Sequence, residues 1–185
     1  AETRVVYLAF DVARAELQFS SVKGKNPFQD KRVREAIYRS IDVDAMKRSV
    51  MRNQAYPTSL MVGTVINGYR KDIDKRPALL KPDDAKKLLA AAGYPSGFEV
   101  TLDCPNDRYV NDEKICQAVV GMLARIGVKV NLKSQTKGKF FEQILAPRFE
   151  TSFFMLGWTP VTYDVHDAFL NLMQTRNLES KKGQF

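Results

Sequence analysis

Between Pro82 and Leu156 the apolar residues switch repeatedly between a helical period and strand alternation, with only short polar connections between the blocks. Pro82 suits the first helical position, where its missing N–H is not needed, and Asp83 and Asp84 follow at the positive end of the helix dipole. Ala85, Leu88, Leu89 and Ala92 form one apolar face, and Gly93 supplies a left-handed stop. Phe98 to Cys104 then alternates as a strand. After a turn at Pro105-Asn106-Asp107, a helix is expected from Asn111 to Ile126, with Ile115, Val119, Met122 and Ile126 as its stripe. Strand, helix and strand follow at Val128–Leu132, Phe140–Leu145 and Ser152–Leu156, and a last helical pattern runs from Asp164 to Met173. Strands separated by helices and short loops predict an α/β sheet of βαβ type with helices against its faces.

The residues before Pro82 are less regular. Val5 to Phe10 reads as a strand. Asp30 is positioned to cap a helix over Lys31–Ile41 that carries Val33, Ala36, Ile37 and Ile41 on one side, and Asp42 a short second helix through Met46 and Val50. From Asn53 to Arg76 no period is sustained, and Pro57, Gly63, Gly68 and Pro77 punctuate a long loop. With no repeat, linker or low-complexity tract, residues 1–185 read as a single domain.

Composition removes several classes of function. Hydrophobic residues make up 44% and charged residues 27%, which excludes a disordered tail or a collagen-like fibre. The longest apolar run, around Phe153 to Leu156, is strand-sized and far short of a membrane span. Gly63 and Gly68 have phosphate-loop spacing, but Tyr69 and Arg70 stand where Lys and Ser or Thr are required. There is no dinucleotide fingerprint and no G-x-S-x-G elbow. His166 is the single imidazole, so a triad or a zinc site has almost nothing to be built from. No enzyme activity, metal or cofactor is expected.

Two features stay open on the residues alone. Cys104 ends a strand and Cys116 lies in the following helix. They are either a loop-closing disulfide, worth about 3 kcal/mol in an oxidising compartment, or two small buried thiols in a reducing one. The net charge of +8 is concentrated in the first third, at Lys23, Lys25, Lys31, Arg32, Arg34, Arg39, Lys47, Arg48 and Arg52. A basic α/β module binding nucleic acid or an acidic protein is the alternative this surplus raises, but no aromatic stacking array accompanies it, and solvated helix faces account for it more simply.

Four stretches in register carry a resemblance. They are Asn26-Pro27-Phe28 through Ile41 (N-P-F-x-D-K-R-V-R-E-A-I-x-x-x-I), Pro82 to Phe98 (P-D-D-A-K-K-L-L-A-A-A-G-Y-P-S-G-F), Ala124-Arg125-Ile126-Gly127-Val128, and Phe154-Met155-Leu156-Gly157-Trp158. Over about Val5 to Phe169 the chain resembles the solute-binding proteins of bacterial ABC importers, in the dipeptide, oligopeptide and nickel group. The resemblance implies a periplasmic-binding-protein-like lobe with a mixed sheet and flanking helices. It also implies hinge closure on a ligand between two lobes, periplasmic location, delivery to an inner-membrane permease, a monomer, and no nucleic-acid partner. Residues 1–185 would then be most of the second lobe of a longer chain, its signal peptide outside this sequence. That agrees with a beginning that enters a strand at once and an end, Lys181-Lys182-Gly183-Gln184-Phe185, that closes no element. Periplasmic location would favour the Cys104–Cys116 disulfide.

The same resemblance implies site residues. Arg108, after the second strand, matches the family arginine that pairs with a ligand carboxylate, a role suited to its forked guanidinium. Trp158 and Tyr163 would supply flat apolar walls. Where dipeptide-binding relatives carry an acid for the ligand amine, this chain has Val161, and Asp164 is the nearest substitute. The carboxylate anchor is therefore expected to be kept and the amine anchor lost, which weakens a simple dipeptide assignment and leaves opines, modified peptides and other carboxylated solutes open.

Overall fold

The computed structural model describes residues 3–145 and 148–175. The stretch Lys181 to Phe185 lies outside the described residues. Those described fall into two compact units, one drawn from within Leu8–Pro57 and Pro77–Met155, the other from within Ala1–Tyr7, Thr58–Arg76 and Leu156–Phe185.

The framework is a four-stranded sheet in the order β1-β4-β2-β3, with β1 Val5–Phe10, β2 Phe98–Pro105, β3 Val128–Gln135 and β4 Phe153–Trp158. β2 is parallel to both β3 and β4, with Asp103 opposite Lys133 on one side and Phe154 on the other. The Asp11 N–H, just past the end of β1, donates to the carbonyl of Ser152, just before β4 (2.9 Å). End meets beginning, so this pair runs antiparallel and the sheet is mixed.

The larger unit follows from the alternation of β2. Phe98, Val100, Leu102 and Cys104 point to one face and are buried there beneath helix α4 (Asp112–Ala124). The opposite face takes α5 (Lys137–Ile144), whose Phe140 and Ile144 are fully buried. The chain steps from β2 outward to β3, then back across β2 to β4. With crossovers of one hand, that reversal requires the two connecting helices to lie on opposite faces. Helices α1 (Lys31–Tyr38), α2 (Val43–Ser49) and α3 (Pro82–Ala91) complete the unit, with α1 packed on α3.

The Asn26-Pro27-Phe28 stretch is a plug. The Asn26 carboxamide accepts from the Phe28 N–H (2.9 Å) and donates to the carbonyls of Asp11 and Arg14 (2.9 Å each). This seats the fully buried Phe28 ring 4.6 Å from Phe10 and 5.9 Å from Phe153. Pro27 opens the short 3-10 turn Pro27–Gln29 without needing an N–H.

Several boundaries differ from the sequence reading. The Asp30 and Asp42 caps form as expected, accepting from Arg32 N–H and Ala45 N–H (2.8 Å each). Yet α1 ends at Tyr38, because the Ser40 hydroxyl takes the Ala36 carbonyl (2.7 Å), and Ile41 is buried without being helical. The buried line of α4 is Cys116, Val119 and Leu123, turned one residue from the expected stripe, and Ile115 and Met122 flank it. The last helix divides into α6 (Val165–Ala168) and a wider π turn, Phe169–Met173. There the Asn171 side chain donates to the Asp167 carbonyl (2.8 Å), entering the ladder where a backbone N–H would sit.

In the smaller unit, loop 58–76 is ordered by one carboxylate. Asp74 Oδ1 accepts from the Thr58 hydroxyl (3.0 Å), the Ser59 N–H (2.6 Å) and the Ser59 hydroxyl (3.0 Å), and Oδ2 accepts from Tyr69 (3.0 Å). Val62, Ile66 and Ala168 form its apolar centre, with Trp158 and Val165 packed on them.

Candidate functional site

In sheets with parallel strands, ligands bind beyond the carboxyl ends of the strands. At that end of β2 the chain makes a tight turn into α4, and Arg108 lies on it. Asp112 builds the turn: its Oδ2 accepts from the N–H groups of Arg108 and Tyr109, and its Oδ1 from that of Glu113 (2.9 Å each). Asn111 adopts the left-handed conformation (φ 57°) and its amide donates to the Val50 carbonyl (3.0 Å), tying the turn to the end of α2. The Arg108 side chain is exposed, stands 5.1 Å from the centre of the Tyr109 ring, and forms no ion pair with a carboxylate among the described residues.

Behind this turn the strand end is fastened on both faces. Cys104 and Cys116 are joined by a disulfide that closes the Pro105–Ile115 segment. On the other face Asp103 is buried, with Oδ1 accepting from Gln143 Nε2 (2.9 Å) and Oδ2 from the Thr151 hydroxyl (2.6 Å). Gln143 in turn accepts from Lys133 Nζ (2.6 Å) and Gln135 Nε2 (2.9 Å). Burial pushes the Asp103 carboxyl above its ordinary range, and the Thr151 and Gln143 hydrogen bonds and the Lys133 charge offset this only in part.

The smaller unit holds the other sequence-predicted residues. Trp158 is half-buried and its indole N–H donates to Asp167 Oδ2 (2.9 Å). Tyr163 has φ 55° and an exposed ring, and its carbonyl accepts from the Asn67 N–H (2.9 Å). Asp164 caps α6 through the His166 N–H (2.8 Å) and accepts from the Asn67 side chain (2.6 Å); these two bonds hold its carboxyl below the usual range. Val161 is 80% exposed. Among the described residues no group of three or more His, Cys, Asp or Glu could hold a metal ion, and no helix is long and apolar enough to cross a membrane.

Residues 1–180 match the family described as bacterial extracellular solute-binding proteins, family 5 Middle. The chain belongs to that family.

Family 5 relatives of established name include a glutathione-binding protein of Pectobacterium atrosepticum, 27% identical over 154 residues that cover 82% of this chain and 29% of the relative. Heme-binding protein A of Haemophilus influenzae is 29% identical over 133 residues, 69% of this chain and 21% of the relative. Solved structures with the same fold include a dipeptide-binding protein from Pseudoalteromonas sp. SM9913 in complex with Met-Leu (TM-score 0.73, 23% identity, 90% of this chain and 30% of that one). The agropinic acid complex of AgaA from A. tumefaciens R10 superposes with a TM-score of 0.77 at 22% identity, over 98% of this chain and 34% of that one. The chain thus spans between 21% and 34% of the length of these proteins. The α/β sheet with flanking helices is the fold shared with these solved structures.

The sequence singled out Arg108, Trp158, Tyr163 and Asp164, and the structure places Arg108 in the larger unit and the other three in the smaller one. It passed over Asp112, although an acid in the first turn of a helix just after an Asn–Asp–Arg turn is a signal for N–H capture. The Asp103–Gln143–Thr151 network had no local signal, since its members lie 40 and 48 residues apart. Asn67, which joins the long loop to the segment before α6, was equally invisible.

Proposed function

We infer that the chain is most of the second lobe of an extracytoplasmic solute-binding component of an ABC importer, which captures a carboxylated small solute, peptides foremost, and delivers it to a permease. The observation that carries this reading is Arg108: a guanidinium that pairs with no carboxylate among the described residues, exposed beyond the carboxyl end of a parallel strand, in a chain of family 5. A guanidinium so placed offers two parallel charge-assisted bonds to a ligand carboxylate. Trp158 and Tyr163 are the proposed apolar walls. Asp164 is the proposed acid near the ligand, though its cap and the Asn67 bond already engage both oxygens, and exposed Val161 offers an ammonium no acceptor. This favours solutes recognised by their carboxylate over those held by a free amine, opines and modified peptides included.

On this reading the protein works in the periplasm as a monomer, needs no cofactor and binds no nucleic acid. Ligand contacts on two lobes favour the closed state, so one lobe supplies only part of the affinity. Titration calorimetry with N-acetyl-Met-Leu, which keeps the carboxylate and lacks the free amine, compares this chain with the full-length protein and tests the reading. Weak or absent binding by the chain and clear binding by the full-length protein are expected; equal affinity would overturn the two-lobe trap.

A further inference from the structure

The turn carrying Arg108 is held by a buried carboxylate and flanked by an aromatic ring. Asp112 is 4% exposed and its carboxylate receives three backbone N–H groups, two of them on Arg108 and Tyr109. The Tyr109 ring is half-buried against the main core and stands beside the guanidinium, 5.1 Å from its centre to Cζ. An exposed arginine normally samples many rotamers and must give up that freedom when it binds. Here the backbone beneath it is fixed by a buried carboxylate, and a ring whose face attracts a cation narrows the side chain's choices.

We propose that Asp112 and Tyr109 are positioning residues that hold Arg108 ready for a ligand carboxylate, Asp112 through the backbone and Tyr109 through its ring. The proposal rests on the reading of Arg108 as the carboxylate anchor. Alanine cannot replace Asp112, because it removes every acceptor beneath the turn. Asparagine can, turned so that its one oxygen accepts from the N–H groups of Arg108 and Tyr109 and only the Glu113 bond is lost. Phenylalanine does replace Tyr109 for this purpose, since the ring face is kept; leucine does not.

The test uses the full-length protein carrying this chain. Side-chain NMR relaxation of the Arg108 guanidinium, without ligand, should show an ordered group in the parent, in Y109F and in D112N, and a mobile one in D112A and Y109L. A guanidinium as mobile in the parent as that of exposed Arg48, or one unchanged in both D112A and Y109L, overturns the proposal. Calorimetry with N-acetyl-Met-Leu supplies the second arm. D112A and Y109L should each weaken binding by about tenfold relative to the parent and to Y109F. In an R108Q background they should weaken it no further, as required of residues that act through Arg108. Losses that persist in that background show a general structural effect and defeat the proposal while leaving the anchor in place. Unchanged N-acetyl-Met-Leu binding in R108Q alone removes the anchor reading, and the positioning role with it.

Discussion

Gln143 Nε2 on α5 donates to Asp103 Oδ1 on β2 across 2.9 Å, and both side chains are buried. The bond joins the sheet to the helix that connects β3 to β4, on the face opposite the Cys104–Cys116 disulfide. Strand β2 is therefore gripped from both sides just before the turn that bears Arg108.

Burial raises the Asp103 carboxyl, so the folded protein holds that proton more tightly than the unfolded chain. Unfolding then releases a proton, and the Asp103 contribution to stability falls as pH climbs from its ordinary 3.8 through the raised folded value. D103N should remove this decline, with Asn accepting from Gln143 and donating to the Thr151 oxygen. D103A should cost about 1–3 kcal/mol, because the Thr151 hydroxyl loses its acceptor. Urea unfolding of each variant at about pH 4 and about pH 7 reads both effects; a D103N protein with the parent's full pH slope would contradict the assignment.

Asp74 behaves in the opposite sense. Burial raises it, but the Ser59 N–H and the hydroxyls of Tyr69, Thr58 and Ser59 lower it more, and the net shift is downward. Its contribution is present above its ordinary 3.8 and is lost as pH falls through the depressed folded value. Acidification should loosen loop 58–76, and D74N should loosen it at neutral pH, read as faster amide exchange at Ser59. Unchanged exchange in D74N would remove Asp74 as the organiser of the loop.

Gly97 and Gly127 meet backbone to backbone where the turn before β2 passes the turn before β3. A Cβ on Gly97 would lie 1.8 Å from the Gly127 carbonyl oxygen, and Gly97 itself has φ 71°. G97A should therefore lower stability by about 2–4 kcal/mol, measured as a reduced denaturation midpoint. Replacing Gly93, which also has positive φ but open space around its Cβ position, should cost less, about 1 kcal/mol.

Removing the disulfide should free the Pro105–Ile115 segment in the unfolded chain. The C104S/C116S double variant is expected to lose about 3 kcal/mol of stability. It should weaken N-acetyl-Met-Leu binding by the full-length protein only modestly, since Asp112 and Asn111 still fix the turn. Thermal unfolding with and without reductant checks the first part; a parent whose midpoint ignores reductant would overturn it.

The sequence by itself determined what repeats locally. The Asp30 and Asp42 caps, Pro82 at a helix start, the left-handed stops at Gly93 and Gly127, and the period of each strand depend on a few neighbouring residues. Four spaced motifs sufficed to mark the family, and Arg108 stood out through them. Only the tertiary structure decided the rest. It turned the buried line of α4 onto Cys116, seated Asn26 beneath Asp11 and Arg14, and bonded Asp103 to Gln143 and Asn67 to Asp164. Such partners are tens of residues apart, and nothing in a local pattern records which buried carboxylate will meet which amide. Their pairing is set by the need to satisfy every polar group that the folded layers shut away from water.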